Sequence, residues 1–591
     1  MNSTPQLIDI FRAHVARTPE MPAMTWVPER SQEQRENLSW LQLHDESERI
    51  AKGLLTLSWD TIHPRMLILA FSPGLDFIQA FLACQMAGIV AIPVAMPRRG
   101  RSAHILEAIV ANCGAARTMT TSNEIARLKD VFDSSTTLAT MQLFAIEELK
   151  NIGDAESGLN SPGTQDIAFI QYTSGSTSLP KGVVVTQANL MANLALIYKA
   201  FRMNPEFTMV SWLPHYHDMG LIGSLLTPIH AGIPCVSMAP SAFIKRPVRW
   251  LQIISEQDAG RSVMAGGPNF AYQLCIDRVA AEDIPALSLQ RWKTAFNGAE
   301  PIRAQTIRGF AERFSDAGFS GKNILTCYGL AETTLFATGN HDPVVCAVSI
   351  FGLEQGHISP PISDDDTRLL VSSGHADSGR IRIVEAQSRR VLADGNVGEI
   401  WVSGPSVPSA YFRDETQSQS TFHAYIEGQP TPRFLVTGDI GAIVDGQLYV
   451  TGRSKELLIV NGRNIYPHDI EELIQHAVSG IEDVAVFAYD RADAKSESIV
   501  VFCELGRAAR HLFSASDELF VSPELEQLAL KIRVAVASAE ITISHIRFVG
   551  PMGIHKTTSG KTSYGQNRLS YCALSDVIRK RPTSAECKNK E

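Results

Sequence analysis

Short apolar runs alternate with amphipathic stretches from about residue 60 onward. Residues 66–71 and 88–94 are apolar runs of strand length, and residues 76–87 between them have apolar positions at helical spacing. The same alternation returns at the runs 234–238 and 292–296. Strands that alternate with helices are typical of parallel sheets with both faces covered, so we expect an α/β fold.

The pattern changes after residue 375. Residues 380–384 and 399–402 read as antiparallel strands, and the dipeptide Asp445-Gly446 is a strong signal for a tight hairpin turn. Beyond it, a helical stretch at 467–478 is followed by further short strands, which is typical of a small α+β unit. The predicted domains are a large N-terminal region, 1–453, whose part 375–453 is β-rich, and a small C-terminal domain, 454–591.

Length and composition narrow the classes of protein. A chain of 591 residues exceeds what one hydrophobic core supports. The formal charge of −9 argues against sequence-independent nucleic-acid binding, which needs a basic surface. The nine cysteines form no Cys-x-x-Cys pair, which favours a reducing cytoplasm over a disulfide framework or a zinc cluster. Residues 1–6 lack signal-peptide features, and the longest apolar stretch, 80–96, is interrupted by Gln85 and Pro93, so we expect no transmembrane segment.

One segment has the composition of a phosphate-binding loop. Residues 173–182 hold five hydroxyl residues, two glycines and one lysine, directly after the apolar run 167–172. A loop of this kind at the end of a strand presents backbone N–H groups, hydroxyls and a cation to one point, as a polyphosphate requires. The spacing is not that of a Walker loop. The alternative is a Ser/Gly-rich surface linker, although the apolar run 183–185 that follows favours a loop between strands.

Further motifs follow the loop in a fixed order. They are Ser-Trp-Leu-Pro-His-Tyr-His-Asp-Met-Gly at 211–220, Phe-Asn-Gly-Ala-Glu-Pro at 296–301, Cys-Tyr-Gly-Leu-Ala-Glu-Thr-Thr-Leu at 327–335, Thr-Gly-Asp at 437–439, Thr-Gly-Arg-Ser-Lys-Glu-Leu at 451–457, Asn-Gly-Arg-Asn-Ile-Tyr-Pro at 461–467 and Thr-Ser-Gly-Lys at 558–561. Together they resemble the adenylate-forming superfamily of acyl-CoA synthetases, adenylation domains and luciferases, over about residues 10–570. The resemblance implies two α/β subdomains and a β-rich portion, followed by a small mobile C-terminal domain.

The amino-acid sequences of three segments resemble one branch of that superfamily, the fatty acyl-AMP ligases. The segments are 169–178, 266–272 and 462–467, and the extra length at 341–374 is similar to the insertion that marks the branch. Members adenylate a fatty acid with ATP, release pyrophosphate, and pass the acyl group to the phosphopantetheine thiol of a separate acyl carrier protein of a polyketide or peptide synthase. The alternatives are a fatty acyl-CoA synthetase and a non-catalytic acyl-AMP- or ATP-binding protein.

The resemblance assigns roles at the nucleotide. The predicted contacts to the β- and γ-phosphates are Thr173, Ser174, Gly175, Ser176, Thr177 and Lys181. Glu332 is the expected Mg²⁺ ligand, because an acid beside a polyphosphate needs a cation between them, with a surface ion pair as the alternative. The adenine contacts are expected at Tyr328, Gly329, Gly298, Ala299 and Glu300, where Tyr328 could instead belong to the core. Asp439 is expected at the ribose, with a turn cap as its alternative, and Arg453 at the ribose or a phosphate.

The resemblance also identifies the reacting centre. Lys561 is expected to reach the carboxylate and the α-phosphate, Lys455 is the expected hinge, and His217 lies near the reacting carboxylate. His215 and His217 could suggest zinc, but no third ligand is nearby. Trp212, Met219, Ile222 and Gly266-Gly267 are either acyl-tunnel or core residues. This segment departs from the family pattern at two places: His555 stands where the family commonly has proline, and residues 562–564 replace a more basic run.

Overall fold

The computed structural model describes residues 5–29, 34–59, 64–151, 159, 161–173, 180–377, 379–460, 463–489, 498–506, 523–537, 541–556 and 562–580. The α-helices, α1 to α17 in chain order, are Leu7–Arg17, Trp40–Thr56, Asp76–Ala87, Arg101–Cys113, Ser122–Phe132, Ile146–Lys150, Gln187–Ala200, Thr227–Ala231, Pro240–Lys245, Val248–Ser255, Asn269–Arg278, Ala304–Arg313, Ile350–Glu354, Glu415–Phe422, Pro467–Ala477, Pro523–Ala537 and Tyr564–Lys580.

The strands are numbered β1 to β26 in the same way. They are Pro22–Val27, Glu36–Ser39, Met66–Ala70, Val90–Val94, Arg117–Thr120, Gln142–Ala145, Ile167–Thr173, Lys181–Thr186, Phe207–Ser211, Cys235–Met238, Ser262–Gly267, Trp292–Asn297, Ile324–Tyr328, Thr338–His341, Val345–Ser349, Thr367–Val371, Ile381–Val384, Gly398–Val402, Ala424–Ile426, Gln429–Val444, Gln447–Arg453, Leu458–Val460, Arg463–Ile465, Ile481–Tyr489, Ser498–Leu505 and Ile543–Val549.

Two mostly parallel sheets confirm the predicted α/β fold. One has the strand order β6-β5-β3-β4-β7-β8, and the other has the order β14-β13-β12-β11-β9-β10-β1-β2. Three antiparallel pairs lie at their edges, namely β7 with β8, β13 with β14 and β1 with β2. Helix α3 spans the predicted residues, and all but its first residue are buried, because it is apolar on every face. One apolar cluster includes residues of both sheets.

A third sheet forms the β-rich portion. Its strands β17, β18, β20 and β19 pair in that order, and β21 pairs with β20. The turn between β20 and β21 is the predicted Asp445-Gly446 pair, and both residues have positive φ values, of 50° and 72°. Such a turn matches the twist of the strands it joins. The hairpin prediction is therefore confirmed.

The chain divides into two compact units. The larger unit comprises the described residues up to Ser349 together with Ile358–Val450, and the smaller unit comprises Ile350–His357 and the described residues from Thr451 onward. The smaller unit has the three-stranded sheet β24-β25-β26 with α15, α16 and α17. Residues 350–357, which the sequence places in the large N-terminal region, group with the smaller unit. Among the described helices, none is long and apolar enough to cross a membrane.

Candidate nucleotide-activation site

The hairpin of β7 and β8 carries the two ends of the predicted phosphate loop. Thr173 pairs directly with Lys181 at the end of this hairpin. A Cβ atom at Gly182 would lie 2.7 Å from the Ile170 side chain, so the strands close tightly at this point. The predicted contacts Ser174, Gly175, Ser176 and Thr177 lie outside the described residues. The hairpin therefore places Thr173 and Lys181 together at the base of the loop.

A tyrosine that the sequence did not indicate connects Lys181 with Glu332. Residues 410–412 run beside β8, with hydrogen bonds from Val184 N to Ala410 O and from Phe412 N to Gly182 O. The Lys181 Nζ atom lies 5.2 Å from the centre of the Tyr411 ring, and the Tyr411 hydroxyl donates to Glu332 Oε1 at 2.8 Å.

Burial, and then the Glu332 carboxylate, raise the pKa of the Tyr411 phenol, so the phenol keeps its proton and acts as the donor. The Lys181 ammonium, the Tyr411 ring and the Glu332 carboxylate therefore form a row in space beside the hairpin of β7 and β8. Because Tyr411 and Glu332 are 79 residues apart and Tyr411 follows no motif, only the pairing of two distant segments reveals this contact.

A buried asparagine fixes the turn that carries Glu332. Asn193 of α7 has no exposed surface. Its Nδ2 atom donates to Thr333 O at 3.0 Å and to Phe336 O at 2.8 Å, and its Oδ1 atom accepts from Phe336 N at 3.1 Å. One side chain thus satisfies three backbone groups around the turn, which holds Glu332 in position. No local sequence signal marked Asn193.

Tyr328 and Asp439 form a buried pair. The Tyr328 hydroxyl donates to Asp439 Oδ2 at 2.6 Å, and the two residues are only 9% and 5% exposed. Asp439 lies in a β-bulge, in which Gly438 has a φ of 73° and the Thr437 hydroxyl accepts from Asp439 N at 3.1 Å. Bulges redirect side chains, which accounts for the orientation of Asp439 towards Tyr328. A Cβ atom at the next predicted residue, Gly329, would lie 1.8 Å from a facing carbonyl oxygen, so only glycine fits there.

The predicted adenine turn lies at the end of β12. Gly298 faces Cys327 of the neighbouring strand, where a Cβ atom would lie 2.6 Å from the sulfur, and Ala299 has a φ of 71°. Glu300 Oε1 accepts a hydrogen bond of 2.5 Å from Phe270 N in the first turn of α11. A carboxylate at a helix N-terminus is stabilising. Glu300 therefore holds α11 against the end of β12, in addition to its predicted place at the nucleotide.

The loop with His217 is attached to the same hairpin. Gln171 of β7 donates through Nε2 to Tyr216 O at 3.0 Å. His217 Nδ1 lies 2.7 Å from Asp218 Oδ1, and a π-helix, Met219–Leu226, begins directly afterwards. π-Helical turns occur frequently at functional sites. The hairpin strand that ends at Thr173 therefore also positions the backbone next to His217.

His215 belongs to an apolar environment. Its ring lies 4.2 Å from that of Phe77, and burial lowers the pKa of His215 to about 4. A neutral ring packed against Phe77 explains why a histidine is accepted where the family commonly has an apolar residue. In the described part of the chain, the one group with metal-ligand geometry consists of His44, Asp45 and Glu48. That group includes neither His215 nor His217.

The predicted tunnel residues are tightly packed. Trp212 stacks on Phe243 with ring centres 4.1 Å apart, and a Cβ atom at Gly267 would lie 2.7 Å from the Trp212 ring. Met219 and Ile222 are buried in the main apolar cluster. Both the tunnel and the core interpretation fit these contacts, so the tunnel assignment stays a prediction.

In the smaller unit, the structure describes the residues that flank Lys561 but not Lys561 itself. Lys556 and Thr562 pair as an antiparallel bridge at the two ends of the segment. The fully buried Asn567 accepts from His555 N at 2.9 Å and donates to His555 O at 3.1 Å. The histidine that replaces the common proline is therefore held through its backbone, next to the Lys556–Thr562 bridge.

Two motifs meet elsewhere in the smaller unit. A Cβ atom at Gly452 would lie 2.9 Å from the Tyr466 ring, so the segments 451–457 and 463–467 are in contact. Arg453 and Lys455 in this region are exposed. Their predicted roles, at the ribose or a phosphate and at the hinge, stay predictions.

An ion pair joins the middle of the chain to this unit. Arg463 of β23 binds Glu354 of α13 with two hydrogen bonds, from Nε to Oε2 at 2.8 Å and from Nη2 to Oε1 at 2.9 Å. The Glu354 side chain is 8% exposed and that of Arg463 is 28% exposed. Paired guanidinium–carboxylate contacts of this form are strong and directional. Helix α13, which lies in the predicted insertion 341–374, is therefore a structural part of the smaller unit.

Comparisons with known proteins agree with this architecture. A family profile described as "AMP-binding enzyme" matches residues 11–412. TtuA of Teredinibacter turnerae, a medium-chain-fatty-acid–[acyl-carrier-protein] ligase by name, is 34% identical, over 97% of this chain and 95% of its own length. JamA of Moorena producens, which has the same descriptive name, is 32% identical over 90% of each chain. A solved structure from studies of fatty acyl-adenylate ligases of E. coli and L. pneumophila is 31% identical, covers 97% of this chain and 98% of its own, and has a TM-score of 0.83.

The chain therefore belongs to the AMP-binding enzyme family, and within it to the fatty acyl-AMP ligase branch that its motifs resemble. Enzymes of this family use ATP, and the chain is an adenylate-forming ligase. The fold predicted from the resemblance, a large N-terminal α/β region with a β-rich portion and a smaller α+β unit, is confirmed.

Proposed function

We propose that this protein converts a fatty acid and ATP into an acyl adenylate and pyrophosphate, and then transfers the acyl group to the phosphopantetheine thiol of a separate acyl carrier protein. The array of Lys181, Tyr411 and Glu332 at the base of the phosphate loop carries the proposal. It places one cation and one oriented carboxylate beside the segment whose composition suits a polyphosphate. The carrier-protein acceptor is supported by the names of the relatives TtuA and JamA.

Glu332 suits a divalent cation of the Mg²⁺ type. Its carboxylate is half-buried, one of its oxygen atoms accepts from Tyr411, and hard cations prefer oxygen ligands. A bound Mg²⁺ would neutralise charge on the phosphates. Glu332 would hold this cation, and Tyr411 would keep the carboxylate in one orientation.

The other predicted side chains bind the phosphates, the ribose, the adenine and the reacting carboxylate. Thr173 and Lys181 bind the β- and γ-phosphates and so stabilise pyrophosphate as it leaves. Asp439 accepts hydrogen bonds from the ribose hydroxyls while Tyr328 orients it, and Gly298, Ala299 and Gly329 leave room for the adenine. Lys561 neutralises the carboxylate as its oxygen attacks the α-phosphorus. His217 borders the reacting carboxylate.

Transfer then occurs by thiol attack on the acyl carbon. The C–S bond forms, the bond between the acyl carbon and the AMP oxygen breaks, and AMP and a proton leave. Arg453 would bind the ribose or the α-phosphate, and Lys455 would be the hinge for a mobile smaller unit. We also infer a cytoplasmic location, because the eight described cysteines are all free thiols and a reducing compartment preserves such thiols.

Pyrophosphate exchange with fatty acids from octanoate to stearate tests the first step, and mass spectrometry of the product tests the second. Because the relatives TtuA and JamA are medium-chain ligases by name, we expect exchange with lauric acid or a neighbouring length, and acyl transfer to a holo-carrier protein rather than to coenzyme A. Efficient acyl-CoA formation without a carrier would replace our proposal with the acyl-CoA synthetase alternative. Absence of exchange with every acid would support a non-catalytic binding protein.

The Lys561→Ala variant tests the reacting centre. We expect adenylation to fall about 10²–10³-fold, as for the loss of one preorganised charge, while ATP binding persists. Lys556→Ala is the matched control, because Lys556 lies beside the same segment but its Nζ binds Asp483 at 2.7 Å. An unchanged adenylation rate in Lys561→Ala would refute the assignment.

A further inference from the structure

We propose that a cavity at the amino-terminal ends of β3 and β5 is a binding site for a small organic phosphate, separate from the nucleotide-activation site. The cavity has a volume of about 320 Å³. Its lining includes Trp59, Met66, Gly114 and the three arginines Arg65, Arg117 and Arg413. A volume of this size suits a small ligand rather than a single ion.

The charge of the cavity points to an anion. Three of its lining residues are arginines, and none of the described lining residues is an acid, although the whole chain has a formal charge of −9. Arg117 donates to Ser58 O at 2.8 Å and to Gln142 Oε1 at 2.9 Å, and Arg413 donates to Asn112 O at 3.2 Å. These partners are uncharged, so they hold the guanidinium groups in place without neutralising them. Guanidinium groups bind phosphate through paired hydrogen bonds.

The backbone is shaped to present Arg413 to this cavity. Arg413 has a φ of 54°, a left-handed conformation that is unfavourable for a residue with a side chain. Gly114, which has a φ of 73°, provides the space for it, since a Cβ atom there would lie 3.2 Å from Arg413 Nη1. Two residues with special backbone conformations therefore bring one guanidinium group to the cavity.

The aromatic wall indicates more than inorganic phosphate. The Arg117 guanidinium covers one face of the Trp59 ring, 4.8 Å from its centre, and Trp59 lines the cavity together with the apolar residues Pro64, Met66 and Ala115. This apolar lining would pack against the organic part of a phosphate ester. Nucleoside monophosphates and pantetheine 4′-phosphate both have this chemistry, and the test below distinguishes them.

The cavity is distinct from the hairpin site. Strands β3, β4, β5 and β7 are parallel, so their amino-terminal ends lie at one edge of the sheet and their carboxyl-terminal ends at the other. Met66 and Arg117 of the cavity begin β3 and β5, whereas Thr173 of the phosphate loop ends β7. A ligand in the cavity would therefore leave the reacting centre accessible.

Calorimetric titration of the full chain tests the proposal, with AMP, pantetheine 4′-phosphate and inorganic phosphate as probes. We expect one of the two esters to bind wild type at a site that the Arg65→Gln/Arg117→Gln variant weakens at least tenfold. The control variant Arg278→Gln/Arg308→Gln has the same change in net charge at exposed arginines of α11 and α12, and it should bind like wild type.

The pattern of binding decides each outcome. The ester whose affinity falls in the cavity variant is the one that the cavity binds. If the variant leaves AMP binding unchanged, that binding belongs to the nucleotide-activation site. Thermal melts of both variants show that each is folded, and the Trp59→Phe variant should lose the fluorescence change that the ligand causes. The proposal is wrong if no probe binds wild type at a site weakened in the cavity variant, or if inorganic phosphate binds as well as both esters.

Discussion

At the scale of single residues, this site depends on neutral partners that orient charged ones. Tyr411 orients Glu332, and Tyr328 orients Asp439, each through a short hydrogen bond from a phenol to a carboxylate. Burial raises the pKa of Tyr411, so the phenol keeps its proton at neutral pH and remains a hydrogen-bond donor. Glu332 and Asp439 were predicted from motifs. Tyr411 was not, because its contact with Glu332 forms only when two distant segments come together in the fold.

The Tyr411→Phe variant should weaken cation binding more than it weakens folding. It removes the hydroxyl that donates to Glu332 and keeps the ring that packs against Phe422. A hydrogen bond to a charged group contributes about 1.5–3 kcal/mol, so we expect the affinity for Mn²⁺ in the presence of ATP to fall about tenfold or more. Electron paramagnetic resonance measures this affinity without turnover, and pyrophosphate exchange measures the catalytic consequence.

The matched control is Tyr425→Phe, the same substitution at an exposed tyrosine of the larger unit. It should leave Mn²⁺ affinity and exchange unchanged. Equal Mn²⁺ affinity in wild type and Tyr411→Phe would show that Tyr411 does not position the cation ligand.

His215 should make folding sensitive to acid. Because burial lowers its pKa to about 4, the unfolded chain, in which histidine has a pKa of about 6.5, binds more protons between these two values. Stability should therefore fall as the pH drops from about 6.5 to about 4, by on the order of 3 kcal/mol for this group. Denaturant unfolding at a series of pH values measures the slope, and His215→Leu should reduce it. An identical slope in the variant would show that His215 is not the group responsible.

At the scale of elements, the sequence predicted best the segments whose structure is determined locally. Helix α3 matched the predicted residues because its apolar positions recur at helical spacing, and Gly88 after it adopts the left-handed conformation that ends helices. The turn Asp445-Gly446 was also predictable, because few dipeptides accept two positive φ angles. Asn193 could not be predicted, because its contact with Thr333 spans 140 residues of sequence.

Asn567 should control the Lys561 segment in the same way that Asn193 controls Glu332. The Asn567→Ala variant removes hydrogen bonds to both backbone groups of His555. The His555 N–H is then left without its partner, whereas His555 O still accepts from Ser563 N at 2.8 Å. We expect adenylation to fall about 10–100-fold, as small displacements of a catalytic group do, with ATP affinity unchanged. Single-turnover formation of the acyl adenylate measures the rate.

Asn396→Ala is the control for this substitution, because Asn396 is an exposed loop asparagine in the larger unit. Its rate should match that of wild type. If Asn567→Ala adenylates at the wild-type rate, the buried asparagine has no positioning role. If its rate falls only together with ATP affinity, the effect is general unfolding.

At the scale of the whole molecule, the order of the motifs made the family predictable. The division of the chain segments between the two compact units could not be predicted in this way. Motifs far apart in sequence, such as those with Tyr328 and Asp439, meet in the larger unit because they end or interrupt strands of different sheets. The sequence placed 350–357 in the large N-terminal region, whereas the structure groups it with the smaller unit. A side-chain contact, the Arg463–Glu354 pair, joins this segment to that unit, and no periodicity in the chain reveals it.

This pair should stabilise the smaller unit through a segment remote in sequence. Removing one partner of a fully buried ion pair costs about 3–5 kcal/mol, and the partial exposure of Arg463 lowers our expectation for Glu354→Gln to roughly 2 kcal/mol. Hydrogen exchange of the β22–β23 hairpin, compared with that of β3, measures the loss in that unit. The exposed pair of Arg390 and Glu427 provides the control, because Glu427→Gln should leave exchange unchanged.

The double variant Glu354→Gln/Arg463→Gln should be less destabilised than the sum of the two single variants, because each single variant already removes the contact. Additive losses would show that the two side chains act independently, and that α13 is held to the smaller unit by its apolar packing alone.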